Sequence, residues 1–460
     1  MSPRPRPRRR RSGGTADGAV HRFAYPIPTV WFALAVALSG LALFAWPGRS
    51  WSALWGVEGL LAVLFVVDTG LCASPRRIAV HRDVPETIGL GDRADLTWTV
   101  ENHHSLPARV TVTDALWPSL DSSRRSSTLT LAAGTRQRLH AELHPTRRGR
   151  FPLNDVTVRV TGRLRMVCRQ ATRSVPGSIK VMPAFPSREE VQRRLRVPRV
   201  LETGSRTIRT AGGGTDFDQL RDYRPDDEFR RIDWGSSVRM QRPIVKQYRA
   251  ERNQNVVVLL DNGRVMAGLV DGVPRVEHAM DAALAITQAA NRLGDRVGLL
   301  TFDHQVRSIM PAASAKNQVA LAAEAMFALQ PELVESAYQA AFSAATQRFR
   351  RRSLYVVLTD LVEATVDEAL LPALPILTRR HVVVVAGVFD PQIAAWADGG
   401  HHEWASEAYR QAAAVAAVQR RRRAVARLRA AGALVVDAAP GRLGIDLVDA
   451  YLEVKASGRL

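Results

Sequence analysis

Cysteine is almost missing from this chain, with only Cys72 and Cys168 among 460 residues. Two thiols so far apart exclude a disulfide framework and a cysteine zinc site. They are compatible with a reducing compartment. Aromatics are sparse at 6%, and acids are in deficit, with 44 Asp and Glu against 64 Lys and Arg for a formal charge of +20. No glycine-lysine phosphate loop occurs, and no histidine accompanies Asp261 or Asp360 in sequence, so the usual hydrolytic constellations are not written around them. What the chain has in quantity is apolar sequence, 46% of residues, beside 23% charged. That balance excludes disordered, collagen-like and disulfide-knotted classes. The length predicts about two or three domains with substantial cores.

The basic excess begins at once. Arg4, Arg6, Arg8, Arg9, Arg10 and Arg11 alternate with or follow Pro3, Pro5 and Pro7, so residues 1–22 read as a disordered basic tail. Residues 29–46 then carry no charge and are bounded by Trp31 and Trp46; after Pro47-Gly48, a second apolar run covers residues 51–73. Both approach the roughly 30 Å of bilayer hydrocarbon. Residues 23–77 therefore read as a transmembrane helical hairpin. A secretory signal opens similarly, but here no small-x-small cleavage site follows cleanly and a second span begins immediately. Arginines before the first span, with Arg76 and Arg77 after the second, put both ends in the cytoplasm. The expectation is a multi-pass protein of the cell membrane with cytoplasmic C-terminal domains. Glu58 and Asp68 fall in the second run, where acids are costly. Asp68 is expected among the cytoplasmic headgroups, and Glu58 against the partner helix or another subunit.

From residue 78 the texture changes to short alternating runs, such as ADLTWTV, ARVTV and VTVRV. Period-two patterning between turn signals predicts an Ig-like antiparallel β-sandwich over residues 78–186, with Cys168 as a small buried hydrophobe in one strand. Residues 187–254 read as a linker holding an unusual charged segment. Residues 255–460 read as an α/β domain with a mostly parallel, Rossmann-like sheet, because continuous β-branched strands alternate with alanine-rich helices. Ligands bind such sheets beyond the carboxyl ends of their strands, which singles out Asp261 and Asp360. A helical insert before the last strand carries Arg420, Arg421, Arg422 and Arg423. Such a run grips phosphate or lipid, or else forms a solvated face whose stems cover alanines; the solvated face is the commoner case.

The charged segment runs Gly212-Gly213-Gly214-Thr215-Asp216-Phe217 to Arg221-Asp222-Tyr223, then Pro225-Asp226-Asp227-Glu228-Phe229-Arg230-Arg231-Ile232-Asp233-Trp234. Arg221, Tyr223, Asp227, Arg230, Arg231, Asp233 and Trp234 suit either of two roles. Guanidinium–carboxylate forks around aromatics fix a joint between domains, and Arg and Trp equally dominate partner-recognition surfaces. The segment resembles the hallmark of the bacterial family called "domain of unknown function 58", with Asp216 and Asp226 departing from its usual Glu and Gly. That resemblance implies a von Willebrand factor type A-like fold for the last domain. It also implies an assembly role beside a MoxR-type AAA ATPase. Domains of that type often hold Mg²⁺ through D-x-S-x-S, a Thr and a later Asp. Here the first motif is Asp261-Asn262-Gly263-Arg264-Val265, leaving Asp261, Ser336 in the Thr position and Asp360 as a degenerate metal set. Arg264 is a candidate to replace the cation by pairing with Asp261 or Asp360.

These readings give a multidomain chain acting as a non-catalytic, membrane-anchored interaction or assembly factor, not an enzyme, without a cofactor. The alternative is a metal-dependent hydrolase or ligand-binding protein using Asp261 and Asp360. The partners expected are the AAA ATPase and the lipid bilayer. Specific nucleic-acid binding is not expected, since the +20 charge lacks aromatic interleaving or a recognition motif and membrane attraction accounts for it.

Overall fold

The computed structural model of the chain describes residues 20–21, 25–45, 51–196, 216–223, 229, 232–249, 253–399 and 404–459. The basic tail through residue 19, the Pro47-Gly48 turn, the Gly212–Gly214 run and residues Asp227, Arg230 and Arg231 lie outside them. The chain is multidomain, with two compact units, Met1–Val181 and Met182–Leu460.

The first unit opens with helices α1 (Val30–Ala45) and α2 (Trp51–Leu71). They pack through Phe32 and Phe65, whose ring centroids are 4.9 Å apart, and Glu58 accepts a 2.8 Å bond from Ser39 Oγ of α1. Their outer faces leave Trp31, Leu38, Leu41, Leu60 and Val66 exposed. Among the described residues one helix, Trp55–Arg77 with its 23 residues, is long and apolar enough to cross a membrane. The first expected span falls short by length, because the 16 residues of α1 rise only ~24 Å.

Antiparallel strands follow as β1 (Ile78–Asp83), β2 (Ala94–Asn102), β3 (Ala108–Asp114), β4 (Ser126–Leu131), β5 (Arg136–Leu143), β6 (Gly149–Thr161) and β7 (Val167–Met182). One sheet has the order β1-β2-β5; the other contains β7-β6-β3-β4 with short strands added on β7. Alternate residues of both enter one core, including Leu96, Trp98, Val110, Val158 and Ile179. A buried ion pair at 2.9 Å, Arg82 of β1 with Asp114 of β3, joins the two sheets, and Trp98 Nε1 donates to the same carboxylate at 2.8 Å. Asp68 is held by the sandwich. It is fully buried and accepts from the backbone N–H groups of Leu164, Met166 and Val167 at 2.8, 2.9 and 3.1 Å. The two cysteines, far apart in sequence, share one neighbourhood. The Cys72 sulfur is 3.6 Å from Val160 O on β6, beside Thr161, the register partner of Cys168.

The second unit begins with α3 (Arg188–Arg196), a hairpin of β8 (Asp216–Asp222) and β9 (Ile244–Arg249), and between its strands α4 (Trp234–Met240). Its main sheet comprises β10 (Asn255–Asp261), β11 (Arg296–Phe302), β12 (Val306–Ala313), β13 (Ser353–Leu358), β14 (Val382–Val388) and β15 (Leu434–Ala438). The order is β12-β11-β10-β13-β14-β15, parallel throughout except for the edge strand β12. The central strand β10 is buried along its whole length because helices cover both faces. Val256, Val258 and Leu260 pack towards α5 (Arg275–Arg292), α6 (Gln318–Met326) and the C-terminal Leu443–Ala456 helix. Val257 and Leu259 pack on the opposite face towards α7 (Tyr338–Arg348) and the helical turns that carry Val366, Leu370 and Leu377. Between β14 and β15 lie α8 (Pro391–Ala397) and α9 (Ala405–Ala430), the latter burying Ala424 and Leu428 against this same face.

Candidate functional site

The two strand-end acids both lie at the carboxyl edge of the parallel sheet, and both are buried, Asp261 completely and Asp360 to 3% exposure. Asp261 ends β10, and its oxygens are fully engaged. Oδ1 accepts from Gly263 N at 2.9 Å and from Ser336 Oγ at 2.5 Å; Oδ2 accepts from Tyr338 OH at 2.7 Å and Thr359 Oγ1 at 2.6 Å. Burial pushes the Asp261 carboxyl above the usual carboxylate range, against the opposing pull of these four donors. Burial, followed by the charge of Asp261, also lifts the Tyr338 phenol well above its ordinary value, so it remains a donor.

Asp360 is neutralised by two arginines. Its Oδ1 accepts from Arg421 Nη1 and from Leu361 N, both at 2.8 Å, and its Oδ2 lies 3.3 Å from Arg275 Nε. Arg421 comes from α9 and bridges three strand ends. Its Nε donates to both oxygens of Asp437 on β15, at 3.1 and 3.0 Å, and its Nη2 donates to Val388 O of β14 at 2.9 Å. Burial works against that guanidinium's charge, but the Asp437 and Asp360 carboxylates outweigh it and raise its pKa. Arg421 therefore belongs neither to a phosphate grip nor to a solvated face. Arg423 and Arg427 of the same helix pair with Glu363, and Arg427 also pairs with Asp367 at 2.5 Å.

The expectation for Arg264 is corrected. Its backbone N–H bonds Val334 O at 2.9 Å, and its side chain turns outward to Glu335 at 2.7 Å, with both side chains more than half exposed. The arginines that reach Asp360 come instead from the first residue of α5 and from α9.

This donor set fits a hard cation poorly. Mg²⁺ asks for a near-octahedral oxygen shell, whereas each of the four carboxylate oxygens here already faces an N–H or O–H donor or a guanidinium. Gly263 admits no side chain, because a Cβ there would come 2.1 Å from Ser336 Oγ and 2.9 Å from Val334 O. Ser336 thus fills the space that a ligand serine would need. Beside Asp360 a cleft of about 370 Å³ opens between the strand ends and the insert, lined by Arg275, Val362, Phe389, Ile393 and Arg421 among others. A second cluster, Asp303, His304 and Glu332, has metal-like spacing, but Arg307 pairs with both of its acids.

In the charged segment, the structure gives Asp233 a local role. It caps α4, its side chain accepting from Gly235 N at 3.1 Å and Ser236 N at 3.3 Å. Tyr223, Phe229 and Trp234 form an edge-on series with ring centroids 6.4 and 5.8 Å apart. Trp234 is 59% exposed, so it is no core anchor. Arg221 lies on β8. The functional-looking residues that sequence reasoning passed over are Tyr338, Thr359, Arg275 and Asp437, and Arg421 was singled out only as one of a basic run. Only Thr359, next to a strand-end acid, carried an obvious signal.

A family model described as "Protein of unknown function DUF58" matches residues 219–432. Two relatives are the Uncharacterized protein Rv1480 of Mycobacterium tuberculosis and the Uncharacterized protein Mb1516 of Mycobacterium bovis. Each is 27% identical over 186 residues, which cover 39% of this chain and 57% of theirs. The chain thus spans little more than half the length of these curated relatives. Among solved structures, the conserved hypothetical protein BatB from Bacteroides thetaiotaomicron matches at a TM-score of 0.28 and 14% identity, over 44% of this chain and 99% of that one. The CARDB domain of a Pyrococcus furiosus protein, crystallised with di-metal ions, matches at 0.16 and 16%, over 23% of this chain and 86% of that one.

Proposed function

We propose that the chain is a non-catalytic, membrane-anchored protein-interaction factor, with α1 and α2 as a two-span hairpin and the later units cytoplasmic. The last domain is read as von Willebrand factor type A-like, on the support of its single antiparallel edge strand and its helices on both faces. The observation that carries the functional reading is the exposed apolar surface of the signature segment. Phe229 is 67% exposed, Trp234 59%, Val238 77% and Met240 55%, on and beside one short helix. Phe229 and Trp234 are in ring contact and Val238 lies one turn from Trp234; exposed apolar side chains grouped in this way mark an interaction site, and tryptophan is among the strongest anchors of such sites. The closed strand-end acids support the non-catalytic half of the reading, since Asp261 and Asp360 hold no free oxygen for a metal or base role. Following the family resemblance, the partner is a MoxR-type AAA ATPase.

The test is co-purification of that ATPase with the full chain. Val238→Asp should abolish it while leaving the melting temperature unchanged; retention of the ATPase by the variant would remove the surface from the account. The alternative, a hydrolase or ligand-binding protein using Asp261 and Asp360, is favoured by one observation, the cleft beside Asp360.

A further inference from the structure

The sandwich holds both apolar helices at the same end. Thr29, the residue before α1, donates its N–H to Met166 O at 2.9 Å and its hydroxyl to Arg165 O. At the far end of α2, Asp68 takes the three N–H groups of the same turn, and Arg169 donates to Thr69 O at 3.1 Å. The turn between β6 and β7 is thus fixed where the apolar helices begin and end, at the level a headgroup layer would occupy if they cross a bilayer. Trp31, 66% exposed one residue into α1, stands at the same level.

At this level lies a cleft of about 430 Å³ with two kinds of wall. One wall is apolar: Ile27, Pro28, Val30 and Trp31. The other carries Arg109, Arg159 and Arg165 with the hydroxyls of Thr111, Thr128 and Thr161, and no carboxylate lines it. Arg109 of β3 pairs in register with Thr161, and Thr111 with Arg159, so both arginines are on the same outer face of the sheet. Arg109 and Arg159 are diagonal cross-strand neighbours, within reach of one another for side chains of this length, so their like charges favour a neutralising partner. Among the described residues nothing supplies one here. Arg159 reaches only the amide oxygen of Gln170, at 2.9 and 3.2 Å, and Arg109 and Arg165 have no acidic partner among the described residues.

We infer that this cleft binds the phosphate of an anionic phospholipid, with its acyl chains along α1. Guanidinium forks and hydroxyls are the donor set that recognises a phosphate. The apolar wall continues onto the exposed Leu34, Leu38 and Leu41 of α1, which gives the chains of a lipid, but not a free phosphate, somewhere to lie. The inference rests on the membrane reading proposed above.

The experiment uses the full chain. Carbonate-washed membranes first report whether the chain is integral; recovery in the soluble fraction would overturn the membrane reading and this site together. Detergent-solubilised protein is then titrated separately with phosphatidylglycerol, phosphatidylcholine and inorganic phosphate, with bound lipid counted by native mass spectrometry and stability read by melting. Phosphatidylglycerol should bind and raise the melting temperature, while phosphatidylcholine should not. Combining Arg109→Gln, Arg159→Gln and Arg165→Gln should weaken phosphatidylglycerol binding at least tenfold without releasing the chain from membranes. A control of equal charge, Arg124→Gln with Arg125→Gln and Arg138→Gln, should bind as the wild type does, and lysine at the three site positions should restore much of the binding. Equal loss in the control would reduce the effect to net charge and overturn the site. Equal protection by inorganic phosphate would overturn its assignment to a lipid.

Discussion

Arg421 Nη1 lies 2.8 Å from Asp360 Oδ1, although 61 residues separate them in the chain. The contact puts a permanent cation of the protein's own against the acid at the carboxyl end of β13. The same guanidinium reaches Asp437 and Val388 O, so a single side chain of the insert ties together the ends of three neighbouring strands. An arginine differs from a bound metal in that it cannot dissociate, and four of its five donors are matched here by carboxylate and carbonyl acceptors. The arrangement is a structural clasp over the edge where α/β sheets usually receive ligands.

Removing the clasp should be costly. Arg421→Ala leaves Asp360 at 3% exposure without its principal counter-ion, and breaking a buried pair from one side destabilises by about 3–5 kcal/mol. The melting temperature of the full chain should fall accordingly. Arg421→Lys should recover only part of the loss, because an ammonium cannot serve Asp360 and Asp437 with the same fork. If the alanine variant melts like the wild type, the clasp contributes nothing.

Magnesium should be without effect. A ligand that binds only the folded state stabilises it by RT ln(1 + [L]/Kd), about 2.7 kcal/mol at a hundredfold excess over Kd. With both oxygens of Asp261 bonded and Asp360 bonded at Oδ1 and ion-paired at Oδ2, melts in excess Mg²⁺ and in chelator should coincide. An upward shift that disappears in Asp261→Ala would show that the donors rotate away to form a shell, and the hydrolase alternative would regain its footing.

Asp261 should leave a signature in the pH dependence. Its folded pKa is raised from the ordinary 3.8 by burial, so the folded state binds the proton more tightly than the unfolded chain does. The sign follows from linkage. The contribution to stability is full below the unfolded value and is lost as pH rises through the folded one. The stability of the wild type relative to Asp261→Asn should therefore decline as pH rises above the ordinary 3.8, as read by denaturant unfolding at a series of pH values. A difference that grows with pH would mean that the four donors outweigh burial.

A third site of close contact is Gly162, where an added Cβ would stand 2.4 Å from Asp68 Oδ2. Gly162→Ala must push the carboxylate off the three N–H groups it holds, an overpacking cost of about 1–3 kcal/mol. Trypsin should then cut faster at Arg163 and Arg165 in the full chain, and the protein should melt earlier. Unaltered cleavage and melting would mean that the turn yields freely to the extra methyl.

Much of this architecture is legible in the chain because it is local. The run from Val256 to Leu260 can only be a strand covered on both faces, and period-two runs such as ADLTWTV can only present alternate residues to a core. Asp261 and Asp360 are legible as strand-end acids for the same reason. The partners of those acids are not, since they arrive from distant segments. A trace of Arg421 was nevertheless present. Ala414, Ala417, Ala424 and Leu428 share its helical stripe, so of the four arginines it alone falls in line with the buried face. Asp68 is a different case. An acid in an apolar run reads as a membrane cost, and its three backbone donors lie 96 to 99 residues away.

Trp234 is where the two readings of the charged segment part most clearly, and it yields the sharpest test. An aromatic flanked by Asp233 and Gly235 in a dense charged segment looks like a packing anchor, whose truncation would cost several kcal/mol. At 59% exposure its indole keeps most of its surface in water, and its ring neighbour Phe229 is itself 67% exposed. Surface substitutions of this sort usually change stability by no more than about 0.5 kcal/mol. Trp234→Ala should therefore melt within a degree or so of the wild type, because Asp233 still caps α4 and Ile244 and Val245 still bury the hairpin. Partner capture should fall sharply in the same variant, since an interface tryptophan typically carries 2 kcal/mol or more, roughly a thirtyfold loss in affinity. A large drop in melting temperature would return Trp234 to a structural joint, and undiminished capture would move the interaction surface elsewhere on the chain.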